Sequence, residues 1–321
     1  MKDEGPRFKF QEKSNGPEGG TSSPGTLNRI FCLGWLCRHL PAKMWPSTLV
    51  LCERTEMPIT TREGAELYWE CEGAGPALVL GAGLGGAGSW WDPNRAALAG
   101  RFTVITFDQR GTGRSSRAPV ASIEQMAADL IAVLDAAGLE AAHYLGHSTG
   151  GAIGVAAALD HPGRLRSLLL YASTTHGDAY RRRVFALRER LLAALGAEAY
   201  AQYTSLLLYP PYWINANAEH LAAMEKQAAG ALGPAAVQAS RLNAILEFDR
   251  RAELGAIRIP TLVLCADDDI LTPRYFSEEY ARLIRGAQSR WEPRGGHALS
   301  RTEPETFNRI ALEFFTAAET S

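Results

Sequence analysis

The stretch Tyr144–Gly154 reads YLGHSTGGAIG and sets four glycines around a single serine. Gly146-His147-Ser148-Thr149-Gly150 matches G-x-S-x-G, the pattern in which a serine stands on a turn too tight for side chains on either side of it. A chain of this length and composition contains the pattern by accident roughly one time in six, so the surroundings must decide. They are a short apolar run, AAHYL, before the motif and a small-residue helical pattern after it. That strand-to-helix setting is what a nucleophile elbow requires, and the plainer alternative is that the glycines only let a helix pack close to a sheet.

A serine hydroxyl needs a base, and the base needs an acid to orient it. When the elbow rides on an α/β sheet, the partners follow in the order serine, acid, histidine. His161, His176, His220 and His297 lie after Ser148. His161 closes a helix, while His176 and His220 precede or lie in a helix-rich region. His297, in EPRGGHALS, follows the last strand-like run on a glycine-rich loop and is the expected base. The acid should end the preceding strand, where TLVLCADDDILTP offers Asp267, Asp268 and Asp269. Asp269 has the best spacing to the next helix, with Asp268 as the alternative; Thr272 and Pro273 read as that helix's N-cap and first turn.

Acyl transfer also needs donors for a developing oxyanion. One is expected from the backbone N–H of Thr149, directly after the serine, and the other from the loop Gly81–Trp91, with Leu84 as the candidate N–H. The same loop lacks the helix and ribose-binding acid that would make its G-x-G-x-x-G spacing a dinucleotide cradle. Trp90 and Trp91 read as packing residues. No H-E-x-x-H or comparable cluster appears, so neither metal nor cofactor is expected.

The elements that must hold these residues are legible as short apolar runs (PALVLGAG, FTVITFD, AAHYLGH, LRSLLLYA, TLVLCADD) alternating with helical patterns, which predicts a doubly wound, mostly parallel α/β sheet. SIEQMAADLIAVLDAAG places Met126, Leu130, Ile131 and Leu134 on one helical face, with Ser122 as N-cap, Gln125 at the capping-box position and Gly138 as terminator. Residues from about 176 to 250 break the alternation and predict a helical cap over the carboxyl edge of the sheet, where ligands bind in such folds. Within it, Arg181, Arg182, Arg183, Arg188 and Arg190 read as a solvated helix face, with an anion-attracting rim as the alternative.

The 321 residues, 46% hydrophobic and 21% charged with a formal net charge of −2, fit a globular chain with a sizeable core and without general attraction to nucleic acid or anionic membrane. The expected partner is a small-molecule substrate, and an apolar cap surface or edge strand could mediate a homodimer. Five cysteines, an odd number, read as reduced thiols of a cytoplasmic protein. Residues 1–56 read as a disordered extension or a misplaced start, with Met57 as the first residue of the domain 57–321.

FDQRGTGRSS at 107–116, the serine elbow, ADDDILTP and GGH fall in the order of the α/β-hydrolase superfamily, which the chain resembles from Met57 onward. The resemblance implies Ser148 as nucleophile, Asp269 as acid and His297 as base, with Leu84 and Thr149 as oxyanion donors. Within the superfamily, GLGGAGSWW, RRRVFALRERLL, LLLYPPYWI, SRLNAI and GGHALSRTEPETFN are similar to the aminoacrylate or carbamate hydrolases of the Rut pathway. That similarity implies release of ammonia from a small product of uracil breakdown. Some of those hydrolases carry alanine in place of this serine, and the enol-lactone hydrolases share the same triad and core motifs, so cleavage of an enol-lactone or short ester is the competing expectation.

Overall fold

The computed structural model describes residues 58–320 and, ahead of them, the two-residue strand Val50–Leu51, which pairs antiparallel with Ala74–Gly75. Otherwise the reading of residues 1–56 lies outside the described residues. The chain then enters a hairpin of β1 (Ile59–Arg62) and β2 (Ala65–Glu72). Its two-residue turn, Glu63-Gly64, has φ of 50° and 73°, the left-handed conformation that a twisted hairpin demands at both positions.

Among the described residues, β1 and β2 join six further strands in one sheet: β3 (Ala77–Gly81), β4 (Thr103–Phe107), β5 (Ala142–His147), β6 (Leu165–Tyr171), β7 (Thr261–Ala266) and β8 (Gln288–Glu292). The order is β8-β7-β6-β5-β3-β4-β2-β1, antiparallel at β1 and β2 and parallel from β4 to β8. Every residue of β3, β4, β5 and β7 is buried, because helices cover both faces and an unbroken apolar run is what such a strand needs. In β3, Val79 packs into one core while Leu78 and Leu80 pack into the other, as the two-residue period of a strand dictates.

One face carries α2 (Ile123–Ala136) and α3 (Thr149–Asp160); the other carries α1 (Asp92–Ala99) and the terminal α10 (Pro304–Ala318). In α2 the Ser122 hydroxyl accepts from the Gln125 N–H at 3.2 Å, and Gln125 reaches back to the N–H of Ala121, one residue before the cap. Met126, Leu130, Ile131 and Leu134 are buried.

Between β6 and β7 the strand–helix alternation gives way to α4 (Ala179–Leu208), α5 (Pro211–Ala216), α6 (Ala218–Ala231) and α7 (Ala235–Glu247), the helical insertion of the fold. Gly196, at φ 82° and ψ −171°, breaks α4 into two helical pieces. A bridge between His176 and Asp249 joins the two ends of the insertion. After β7 come α8 (Arg274–Leu283) and, behind the His297 loop, the short α9 (Leu299–Thr302).

Two details differ from expectation. Pro273 occupies the N-cap of α8, because the Thr272 hydroxyl is turned toward Asp269. Cys71 is disulfide-bonded, so the reading of five reduced thiols fails there; an odd count leaves one thiol over without preventing the others from pairing. Cys265 is buried and free.

Candidate active site

The glycines around Ser148 are explained by what a side chain would strike. A Cβ on Gly146 would lie 2.4 Å from the carbonyl oxygen of Gly150, one on Gly150 would lie 2.3 Å from that of Gly81, and one on Gly151 would lie 2.5 Å from the Ser173 side chain. Ser148 itself is held at φ 53° and ψ −117°, a conformation that a residue with a Cβ adopts only when its surroundings enforce it. The enforcing contacts are the Ser148 N–H to the Tyr171 carbonyl at 2.8 Å, and the Ser173 hydroxyl to the Ser148 carbonyl at 2.8 Å. Close packing and the strained turn are thus one device. The Ser148 hydroxyl makes no hydrogen bond among the described residues; such contacts are often long until substrate tightens them. Thr149 is the first residue of α3, so its N–H is one of the four for which a helix has no internal acceptor.

His297 is almost fully enclosed, and its Nδ1 lies 2.9 Å from Oδ2 of Asp269. Asp269 is over-determined as an acceptor: its Oδ1 takes the N–H groups of Leu271 and Thr272 at 2.8 and 2.9 Å, and its Oδ2 also faces the Thr272 hydroxyl at 2.6 Å. The neighbouring Asp268 reaches the loop before His297 instead, accepting from the Gly296 N–H at 2.7 Å and from the Gly295 N–H at 3.3 Å. Asp267 is exposed and pairs with Arg274 at 2.9 Å. Of the three adjacent carboxylates, Asp269 is the one brought to His297.

His147, the variable residue before the serine, carries structure that its sequence context did not signal. Its Nε2 lies 3.0 Å from the carbonyl oxygen of His297, which also accepts from the Tyr171 hydroxyl at 2.7 Å. The ring is stacked between Trp90 and Tyr171, each 4.7 Å away between centroids. Burial, and then the adjacent His297, push the His147 imidazole well below the usual histidine range, so it is neutral and donates through Nε2. Its partners lie 57 and 24 positions away in the chain, beyond the reach of any local pattern.

The loop after β3 closes over this pair. A Cβ on Gly83 would lie 3.0 Å from Nδ1 of His147 and 3.2 Å from Cβ of Ser148, so the backbone just before Leu84 runs against the elbow. The loop is fixed from the cap by Arg241 of α7, which donates to the Leu84 carbonyl at 2.8 Å, to the Arg110 carbonyl at 2.6 Å and to Oε1 of Gln109 at 2.6 Å. Gln109 in turn donates to the Ala82 carbonyl at 2.6 Å. Arg241 is fully buried among neutral acceptors, and burial lowers its pKa to about 10. Sequence reasoning assigned Arg241 no role, since nothing local distinguishes it from a solvated arginine on a helix.

A cleft of about 360 Å³ beside Pro260, Gln288 and Phe314 touches none of these residues. No cluster of three or more His, Cys, Asp or Glu side chains among the described residues is arranged to hold a metal ion, and no helix among them is long and apolar enough to cross a membrane.

A strand–elbow–helix carrying a serine, on a mostly parallel sheet with a helical insertion after β6, defines a class. Residues 76–304 match the alpha/beta hydrolase fold family, and the chain belongs to it. Within that family it is 42% identical over 259 residues to the protein named carbamate hydrolase RutD of Azorhizobium caulinodans, covering 80% of this chain and 98% of that one. It is 39% identical over 269 residues to the protein of the same name from Caulobacter vibrioides, covering 82% and 99%. Among solved structures, it is similar to the enol-lactonase from Burkholderia xenovorans LB400, with a TM-score of 0.75 and 26% identity over 81% of this chain and 100% of that one.

Proposed function

We propose that this hydrolase uses Ser148, His297 and Asp269 to release ammonia from a small carbamate or aminoacrylate-type substrate of pyrimidine breakdown. The observation that carries the reading is the Asp269–His297 pair at 2.9 Å, tied through the His297 carbonyl to the residue before a serine held at φ 53°. Identity of about 40% to relatives named carbamate hydrolase, across nearly their full length, supports the substrate class.

A carbamate presents its carbonyl carbon to the Ser148 hydroxyl. His297 takes the hydroxyl proton as Ser148 Oγ bonds to the carbonyl carbon, and Asp269 stabilises the imidazolium. The oxyanion is met by the N–H of Thr149 and that of Leu84. The C–N bond then breaks, and the imidazolium gives its proton to the departing nitrogen, which leaves as ammonia. Water, deprotonated by His297, cleaves the remaining acyl–serine ester and restores the hydroxyl. An enamine can also lose ammonia by direct addition of water at its amino-bearing carbon, a route that needs no ester to Ser148.

A fluorophosphonate probe tests the serine. A single covalent adduct on Ser148, absent from Ser148→Ala, is expected; a folded protein that stays unlabelled would contradict the nucleophile. The likeness to an enol-lactonase favours a second reading, in which the same machinery opens a small lactone.

A further inference from the structure

The arginines of the first half of α4 do not form one solvated face. Arg182, Arg183 and Arg190 are exposed, whereas Arg181 and Arg188 are 2% and 4% exposed. Among the described residues, neither buried guanidinium has a carboxylate partner within ion-pair distance. Arg181 stands over the Phe185 ring at 4.6 Å and makes no side-chain hydrogen bond, its Nε being enclosed and unpaired. Arg188 stands over the same ring at 5.5 Å; its Nη2 donates to the Tyr200 hydroxyl at 2.9 Å and to Thr204, and its Nε is likewise enclosed and unpaired.

Two cations that share one aromatic ring, deep in a protein and without a direct ion-pair partner, are costly. Among the described residues, the Nη atoms of Arg181 and Nη1 of Arg188 carry no hydrogen bond, so neither guanidinium has its donors satisfied by the protein. Burial, and then the neighbouring Arg188, lower the Arg181 pKa to about 10, while the charges of Asp178 and Asp269 act the other way. Asp269 is already saturated with donors, and Asp178 caps the N–H of Arg181 and accepts from Tyr275.

We propose that Arg181 and Arg188 form an anion pocket under the cap that binds the carboxylate of a small substrate and thereby selects acids over neutral amides and esters. A planar carboxylate matches the guanidinium fork in two parallel hydrogen bonds. The pocket deepens the hydrolase reading, on which its role in substrate choice rests.

The test compares acrylate with acrylamide, its neutral analogue, as non-turnover ligands of the full chain. Saturating acrylate is expected to raise the melting temperature of the wild type by about 5 °C and acrylamide by much less. Arg181→Met should melt higher than the wild type without ligand, because an unpaired buried charge is gone, and should lose the acrylate response; Arg183→Met, altered at an exposed neighbour, should keep it. If Arg181→Met does not fold, Arg181→Lys serves, with acrylate affinity expected to fall about 10-fold as the fork is lost. Equal responses to acrylate and acrylamide, or an undiminished response in the Arg181 variant, would overturn the pocket. Fluorophosphonate labelling of Ser148 in the same samples reads the hydrolase proposal separately, so either can fail without the other.

Discussion

His147 donates from Nε2 to the carbonyl oxygen of His297 at 3.0 Å, so the residue before the serine holds the loop that carries His297. Burial, and then His297 at 4.7 Å between centroids, keep this imidazole neutral; a second positive charge there would oppose the imidazolium that the proposed mechanism forms on His297.

That neutrality has a consequence for folding. In the unfolded chain His147 takes up a proton as the pH falls through 6.5, and in the folded chain it does not until well below that value. Its contribution to stability is therefore complete above pH 6.5 and is lost below it, at up to about 1.4 kcal/mol per pH unit. Denaturant unfolding of wild type and His147→Gln between about pH 5 and 8 should show a flatter pH dependence in the variant. His143, pushed down by burial in the same sense, is common to both proteins and cancels in the difference. Parallel curves would refute the neutral buried imidazole.

The adjacent acids should separate cleanly. Asp269→Asn replaces the acceptor at His297 Nδ1 with a group that disfavours the required tautomer, and kcat is expected to fall about 10³- to 10⁴-fold. Asp268→Asn only weakens the hold on the Gly295 and Gly296 N–H groups, and a loss of about 10-fold is expected. Steady-state kinetics of both variants on one substrate decide the matter; the reverse ranking would reassign the acid.

Arg241 braces the Leu84 loop from the helical insertion. Arg241→Lys cannot span Leu84, Arg110 and Gln109 together, so the loop that offers the Leu84 N–H loses its brace. We expect kcat to fall about 10- to 100-fold with KM little changed, because the loop meets charge that appears only in the transition state. A rise in KM at constant kcat would make Arg241 a substrate-binding residue instead.

What the sequence made legible follows from range. Unbroken apolar runs identify buried parallel strands, and the Ser122/Gln125 cap and Gly138 bound α2, because those forces act over a few residues. The G-x-S-x-G turn is local in the same way: its glycines answer to backbone atoms of the next helical turn and of one neighbouring strand. Three consecutive aspartates could not be ranked beyond spacing, since their difference lies in what a loop almost thirty residues later presents to each. Arg181, Arg188 and Arg241 were opaque for the same reason. An arginine inside a helical pattern reads as solvated unless one knows which face the cap turns inward.

The most direct test of the central claim is ammonia release from freshly generated 3-aminoacrylate and from carbamate, measured for the wild type and Ser148→Ala against the spontaneous rate. Acceleration by the wild type is expected to drop about 10³-fold or more in the variant, leaving only binding and the oxyanion donors. Full acceleration surviving in Ser148→Ala would contradict the acyl–serine mechanism and assign the reaction to direct attack by water. No acceleration of either substrate, with turnover of an enol-lactone that depends on Ser148, would keep the triad and contradict the proposed substrate.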